Sequence, residues 1–294
     1  MPTHSRRTVA ITGANGFIGS QLVQHFSRRG WNVFAFCRTA RNPSSLSNVT
    51  FKEWSLPDGI RDGDFIGGDV LVHCATVPYS RKQRDADEIN IRGTEQLLSL
   101  ARKLGYSKFV FLSSLSARDG AESHYGRHKR QLERIFDPSR DLVVRPGLTL
   151  GNGGLARAIF DTIQSHRIVP LVGGGRQPVY TIAIDDLCHA LEKLIDRGRS
   201  GAFSLAAPEP VTMRELYEGM ARKAGLRSVF VPVPYLPVSI VLRIADALGI
   251  ELPITSENLL GLKQLRRLDV RADLEALDLH PRPFRDTLEA LDLS

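Results

Sequence analysis

From Thr8 to Arg145 short, continuous apolar runs alternate with segments whose apolar residues recur at helical spacing. The runs are Thr8 to Ile11, Trp31 to Cys37, Val49 to Trp54, Asp69 to Cys74, Phe109 to Leu112 and Leu142 to Arg145. Between them, Phe17, Ile18, Leu22, Val23 and Phe26 mark one amphipathic helix, ending near Gly30. Ile89, Gly93, Leu97, Leu98, Leu100 and Ala101 mark another, from about residue 84 to 104, and Leu132 and Ile135 back a third. Strands without polar alternation are buried on both faces, and strands regularly separated by helices pair in parallel. The pattern therefore predicts an α/β fold built on a doubly wound parallel sheet.

Past residue 148 the rhythm changes. Glycines at 151–154 and 173–175 bracket a helix from about Leu155 to His166, Pro178 to Ile184 reads as a strand, and Asp185-Asp186-Leu187 opens a helix with carboxylates at its N-terminus. Ala202 to Ala206 returns a last strand to the sheet. In the final third, Val211-Thr212-Met213-Arg214-Glu215 has the form of a capped helix start, and Val231 to Pro237 is an extended run. Two apolar helical segments follow, Val238 to Leu248 and Ser256 to Leu268, whose leucine spacing reads as core. The expected division is a nucleotide-binding domain over 1–148 plus 178–206, and a smaller substrate lobe over 149–177 plus 207–294. No internal repeat or low-complexity segment is evident.

A chain of 294 residues, 42% of them hydrophobic, can bury a sizeable core, which argues against a disordered or fibrous protein. Met1 to Arg7 has charge but no apolar stretch behind it, so no signal peptide is expected. Pro237 to Ile250, the best candidate for a membrane span, is interrupted by Arg243 and Asp246 and is too short. Cys37, Cys74 and Cys188 are widely spaced in apolar segments, as reduced thiols in a cytoplasm are, and they form no metal-ligand pattern. The net charge of +7 favours acidic ligands or simply gives a solvated basic surface. Its arginines and lysines are scattered without interleaved aromatics, so nucleic acid is not expected as a partner.

The chemistry begins at Thr12 to Gly19, Thr-Gly-Ala-Asn-Gly-Phe-Ile-Gly, which joins the first strand to the first helix. Glycines at 13, 16 and 19 allow a tight turn and a close approach of backbone to a pyrophosphate, while the helix N-terminus presents its amides to the anion. This Gly-x-x-Gly-x-x-Gly spacing resembles the short-chain dehydrogenase/reductase superfamily, specifically its extended, atypical branch in the NAD(P)-dependent epimerase/dehydratase family. Further motifs follow in the family's order over residues 8 to about 210. His73-Cys74-Ala75 is similar to the His-x-Ala element, and Asn90, Gly93 and Thr94 to Asn-x-x-Gly-Thr. Tyr125 and Lys129 match Tyr-x-x-x-Lys, and Arg145-Pro146-Gly147 matches Arg-Pro-Gly.

The resemblance implies a Rossmann fold and a set of site residues. The turn would hold the cofactor through Gly13, Asn15, Gly16, Phe17, Ile18 and Gly19. Strand two ends at Arg38, where a carboxylate selects NAD and an arginine accommodates the 2′-phosphate of NADP. Arg38 and Arg41, with Thr39 between them, therefore point to NADP(H). Leu56, Ala75, Thr76, Val77, Asn90 and Pro146 would line the same ligand, Asn90 chiefly as a structural tie. Ser55 stands where many extended members carry an aspartate that contacts the adenine. His73 reads as a satisfied core histidine without chemistry.

Tyr125 and Lys129 lie at i and i+4 on one helical face, so both can reach one bound cofactor. A nearby ammonium and an oxidised nicotinamide stabilise a phenolate, which suits Tyr125 to general acid/base work. In the resemblance Ser114 holds the substrate oxygen and Lys129 also holds the nicotinamide ribose, with Ser113 and Ser116 as alternative serines. The expected function is an NADP-dependent oxidoreductase moving hydride to and from a small-molecule carbonyl or alcohol. Leu115-Ser116 lacks the acidic residue that dehydratases carry beside the catalytic hydroxyl, and Arg38 stands where epimerases usually have an acid. A nucleotide-sugar epimerase, and a non-catalytic NADP-binding accessory or sensor protein, are the other readings. Family members commonly pair through the helices bearing Asn90 and Tyr125, so the resemblance allows a homodimer and leaves the oligomeric state open.

Overall fold

A computed structural model describes residues 6–39, 46–57, 65, 67–78, 85–248, 250 and 255–291. Arg41, grouped with Arg38 above, lies outside the described residues. The elements begin with β1 (Thr8–Thr12), α1 (Phe17–Arg28), β2 (Asn32–Cys37), β3 (Val49–Glu53) and β4 (Val70–His73). They continue with α2 (Ala86–Lys103), β5 (Lys108–Leu112), α3 (His124–Glu133), β6 (Leu142–Pro146), β7 (Leu148–Leu150), α4 (Gly154–Ser165) and β8 (Ile168–Val172). Then come β9 (Pro178–Val179), β10 (Thr181–Ala183), α5 (Ile184–Asp196), β11 (Gly201–Leu205), β12 (Val211–Thr212) and α6 (Met213–Lys223). The chain closes with β13 (Val229–Val233), α7 (Tyr235–Leu248), α8 (Ser256–Lys263), α9 (Arg271–Leu277) and α10 (Phe284–Ala290).

The chain folds as two compact units, the first made of Met1–Ser113, Gln131–Val144 and Cys188–Phe203, the second of Ser114–Arg130, Arg145–Leu187 and Ser204–Ser294. A seven-stranded sheet runs in the order β11-β6-β5-β4-β1-β2-β3. β1 pairs in parallel with β2 on one side and β4 on the other, and β2 with β3, β4 with β5 and β5 with β6 are parallel too. The strand order reverses beside β1, between β4 and β2. In open α/β sheets ligands bind outside the carboxyl ends of the strands at such a switch point. The expected doubly wound sheet is thus present. The core of the first unit packs Ala10, Phe36, Leu71, Phe109 and Phe111 with Leu97, Tyr106 and Phe136, and Phe36 stacks on Phe65 at 3.8 Å between ring centroids.

In the second unit β7 pairs with β10 and β8 with β13, both in parallel, and β9 with β12 antiparallel. Its core gathers Leu150, Ile159, Phe160, Leu216, Met220, Phe284 and Leu288. Three sequence expectations change here. The run Pro178 to Ile184 is not one strand but β9 and β10, broken at Tyr180, whose hydroxyl donates to the Leu268 carbonyl at 2.6 Å and accepts from the Leu268 amide at 3.0 Å. The helix expected from Ser256 to Leu268 stops at Lys263, because Gln264 is engaged elsewhere: its carbonyl accepts from Arg118 at 2.7 Å and its side chain from the Glu122 amide at 2.7 Å. The extended run ends earlier than Pro237, which sits in the first turn of α7, where the missing amide proton costs nothing. Val211 and Thr212 do precede a capped helix: Thr212 accepts from the Glu215 amide, and Glu215 reaches back to the Thr212 amide.

Candidate active site

In the first unit the glycine turn has the shape a pyrophosphate requires. Gly13 adopts φ +69°, and a Cβ there would lie 2.7 Å from the Ala75 amide nitrogen, so only glycine allows β1 to pass so close to the chain leaving β4. A Cβ on Gly19 would meet the Gly13 carbonyl oxygen at 2.2 Å, so the first turn of α1 packs directly onto the glycine bend. α1 starts at Gly16 with no side-chain cap and no acidic residue in its first turn, which leaves its N-terminal amides to an anion. These residues fit a dinucleotide. Asn15 donates from Nδ2 to the Thr39 carbonyl at 3.0 Å, fastening the turn to the residues that end β2. Arg38, beside it, is exposed.

The loop after β4 is held by a buried hydrogen-bond chain. Asn90 on α2 accepts from the Val77 amide at 2.8 Å and donates to the Val77 carbonyl at 2.8 Å, so it clamps the Ala75–Val77 segment. Thr94 donates to the Asn90 carbonyl at 2.6 Å, which leaves its oxygen to accept from His73 Nε2 at 3.2 Å. His73 Nδ1 then accepts from the Thr12 hydroxyl at 2.7 Å, and that oxygen accepts the Ala75 amide at 3.4 Å. His73, 1% exposed, thus has both ring nitrogens engaged, Nε2 with Thr94 and Nδ1 with Thr12. Gly93 lets α2 approach Leu56, whose Cδ2 would lie 2.2 Å from a Cβ. The sheet and these ties bring Gly13 to Gly19, Thr39, Ala75 to Val77 and Asn90 to the carboxyl ends of β1, β2 and β4.

Ser114, Tyr125 and Lys129 belong to the second unit. The Ser114 oxygen accepts the Ser116 amide at 3.1 Å, and Ser114 is near enough to the Tyr125 phenol to act on its pKa. Leu115 donates its amide to the Pro146 carbonyl at 3.3 Å, which draws the serine loop to the end of β6. Gly126 makes the serine–tyrosine approach possible, since a Cβ there would stand 2.7 Å from the Ser116 carbonyl oxygen. Ser123 caps α3, accepting the Gly126 amide at 3.2 Å. Half of Tyr125 is open to solvent, 53%, yet its hydroxyl is desolvated enough that burial pushes the phenol pKa up, with Ser114 acting against the shift. Lys129, one turn along α3, is buried.

Of the alternative serines, Ser113 donates to the buried Glu133 carboxylate at 2.6 Å within the first unit. Sequence reasoning passed over Glu133, although Tyr125, Lys129 and Glu133 follow one another at intervals of four. It also passed over Gly126 inside Tyr-x-x-x-Lys, and the chemistry of the glycine run at 173–175. Gly174, Gly175, Arg176, Thr212, Arg214 and Pro232 line a cavity of about 330 Å³ in the second unit, and two arginines beside a glycine turn were the available signal.

The model of the NAD dependent epimerase/dehydratase family matches residues 9–206. A ceramide reductase of Caulobacter vibrioides is 28% identical over 249 residues, covering 80% of this chain and 76% of its own. A dTDP-4-dehydro-6-deoxy-D-allose reductase of Streptomyces bikiniensis is 25% identical over 333 aligned positions, covering 96% and 94%. Among solved structures, the Bordetella bronchiseptica enzyme WbmH in complex with NAD+ superposes with a TM-score of 0.73 at 18% identity, over 98% of this chain and 97% of its own, which is a likeness of fold. With a family match over two thirds of its length, a glycine turn shaped for a dinucleotide and the sheet that carries it, the chain belongs to the NAD dependent epimerase/dehydratase family of extended short-chain dehydrogenases/reductases.

Proposed function

We propose that the protein is an NADP-dependent oxidoreductase that reduces a carbonyl, and in reverse oxidises the alcohol, with Tyr125 as general acid/base. The observation that carries this reading is the Tyr125 phenol, its pKa raised by burial and opposed in that shift by Ser114, on a helix that places Lys129 one turn along from it. Arg38, exposed at the end of β2 with no acidic residue in its place, supports NADP over NAD. Gly13, Asn15, Gly16, Phe17, Ile18, Gly19, Thr39, Leu56, Ala75, Thr76, Val77, Asn90 and Pro146 would form the remainder of the cofactor site. When bound, the reduced nicotinamide supplies a hydride to the carbonyl carbon. Ser114 donates a hydrogen bond to the carbonyl oxygen and orients it. Tyr125 gives its phenolic proton to that oxygen as the C=O π bond opens, leaving phenolate on the protein and an alcohol in the site. A phenol held protonated by burial suits this donor role at neutral pH. Residues 149–177 and 207–294 would choose the substrate.

The test is Tyr125→Phe. NADPH should bind as it does to the parent, followed by fluorescence titration, while NADPH oxidation with a responsive ketone, sterol, flavonoid or nucleotide sugar falls at least about a thousandfold. Retained turnover would exclude the mechanism, and binding without turnover by the parent across that panel would favour an accessory or sensor role.

A second reading has its own observation. The cavity flanked by Arg176 and Arg214 offers cationic donors for a diphosphate, as a nucleotide-sugar epimerase or related sugar-modifying enzyme would need. Interconversion of sugars by a tightly held cofactor, without net consumption of reductant, would favour it.

A further inference from the structure

Helix α3 carries Tyr125 and Lys129, yet its first two turns have almost nothing apolar to hold them. From His124 to Arg130 the only apolar side chain is the Tyr125 ring, itself half exposed, and the first buried leucine of α3 is Leu132. α3 also has no acidic residue in its first turn, while Arg127, Lys129 and Arg130 bring positive charge toward a helix end that favours a carboxylate. The first amides of a helix have no partner inside it. Polar contacts from outside the helix must therefore fix this turn.

They come from α8, which like the start of α3 belongs to the second unit. Glu257, Gly261 and Gln264 stand at i, i+4 and i+7, on one face of α8 and its C-cap, and all three meet the segment that opens α3. The Glu257 carboxylate accepts from the His124 amide at 2.6 Å, as short as a charge-assisted hydrogen bond, and so supplies the anion that α3 lacks. Gln264 accepts from the Glu122 amide at 2.7 Å through its side chain and from Arg118 at 2.7 Å through its carbonyl. Between these contacts, a Cβ on Gly261 would lie 3.7 Å from that of Ser123, whose hydroxyl accepts the Gly126 amide. The two amides bound by α8 thus flank the residue that caps α3. On the opposite face of α8, Leu259 and Leu262 pack with Val172 and Leu242, so its polar face cannot shift without uncovering them.

We propose that Glu257 and Gln264 are positioning residues for the reaction: α8 caps the start of α3 from outside and thereby holds the Tyr125 hydroxyl where it can pass its proton. Proton transfer requires that hydroxyl within hydrogen-bond reach of the substrate oxygen, and a displacement of about 1 Å can cost a hundredfold in rate. The inference rests on the reading of Tyr125 as the general acid/base.

The experiment compares Glu257→Ala and Glu257→Gln by amide hydrogen exchange and by steady-state NADPH oxidation with a carbonyl that the parent reduces. Glu257→Ala should speed exchange of the amides from Glu122 to Gly126 at least about tenfold and lower kcat at least about tenfold. Its KM, NADPH affinity and circular dichroism should stay as in the parent. Glu257→Gln keeps an acceptor oxygen and should recover most of both losses. Parental exchange in Glu257→Ala, faster exchange with parental kcat, or a fall in kcat matched by a loss of NADPH affinity each overturns the proposal. Should Glu257→Ala lose its circular dichroism, Gln264→Ala decides by the same readouts. Turnover retained by Tyr125→Phe strikes the redox reading and this proposal with it, whereas an inactive Tyr125→Phe beside a fully active Glu257→Ala strikes this proposal alone.

Discussion

The proposed preference for NADP rests on a single side chain at the end of β2. Arg38 is exposed beside Thr39, whose carbonyl is fixed by Asn15 of the glycine turn, so its position relative to the turn follows from a hydrogen bond within the same unit. If Arg38 holds the 2′-phosphate as proposed, Arg38→Asp should weaken NADPH by at least about tenfold, because the attraction would become a repulsion, and should leave NADH unchanged or tighter. Titration of both cofactors checks this, and an equal loss for the two would remove Arg38 from the site. At this scale the sequence was most legible where geometry leaves one residue type. Gly13 and Gly19 could be read because a Cβ at either would collide with backbone 2.7 or 2.2 Å away. His73 could be read only as a core histidine. Its partners are Thr12 and Thr94, which are 61 and 21 residues distant and come together only through the sheet and α2.

Between elements, a charge cluster pins α1 to the later turns of α5. Glu192 accepts from Arg29 Nε at 2.7 Å and lies 2.9 Å from His25 Nε2. Burial alone would raise the Glu192 carboxyl, but the Arg29 and His25 hydrogen bonds outweigh it and hold its pKa below the usual value of 4.5. Burial lowers His25 from 6.5, and the Glu192 contact opposes that shift. Both signs agree. Below about pH 6.5 the unfolded chain takes up a proton at His25 more readily than the folded one, and below about pH 4.5 it does so at Glu192, so stability falls with pH through both windows. Glu192→Gln should lower the melting temperature at neutral pH by about 2–4 °C and flatten its decline below pH 4.5. Thermal melts across that range check both, and an unchanged acid slope would assign the decline to other groups. None of this was visible in the sequence, where His25, Arg29 and Glu192 are ordinary helix residues. Element boundaries failed for a related reason: β9 and β10 part at Tyr180, and α8 stops at Lys263, because Leu268, Arg118 and Glu122 compete for those positions from far along the chain.

Across the whole molecule, legibility follows the kind of constraint. The span matched by the family, 9–206, repeats one strand–turn–helix solution with motifs at fixed places, so its sheet and its nucleotide turn could be derived from apolar runs and glycines. Residues 207–294 form helices held by Leu216, Met220, Phe284 and Leu288, where many apolar sequences would pack equally well and no motif is required. α9 and α10, each of 7 residues, are too short to show a helical period. The cavity takes Gly174, Gly175 and Arg176 from the matched span and Thr212, Arg214 and Pro232 from beyond it, and it offers the sharpest division between the substrate readings. Arg214 reaches it from the first turn of α6, with Nε toward the Gly174 carbonyl at 3.4 Å and an ion pair to Glu218 at 3.2 Å that sets the guanidinium beside the glycine turn. If the cavity holds a nucleotide diphosphate, Arg214→Ala removes a charged donor from it, and KM for a nucleotide sugar should rise at least about tenfold with NADPH affinity unchanged. Steady-state kinetics with a responsive nucleotide sugar, beside direct NADPH titration, reads both quantities. An unchanged KM would exclude Arg214 as a diphosphate ligand and leave the carbonyl-reductase reading without a nucleotide-linked substrate, whereas a loss of NADPH affinity in the variant would show that the arginine supports the fold instead.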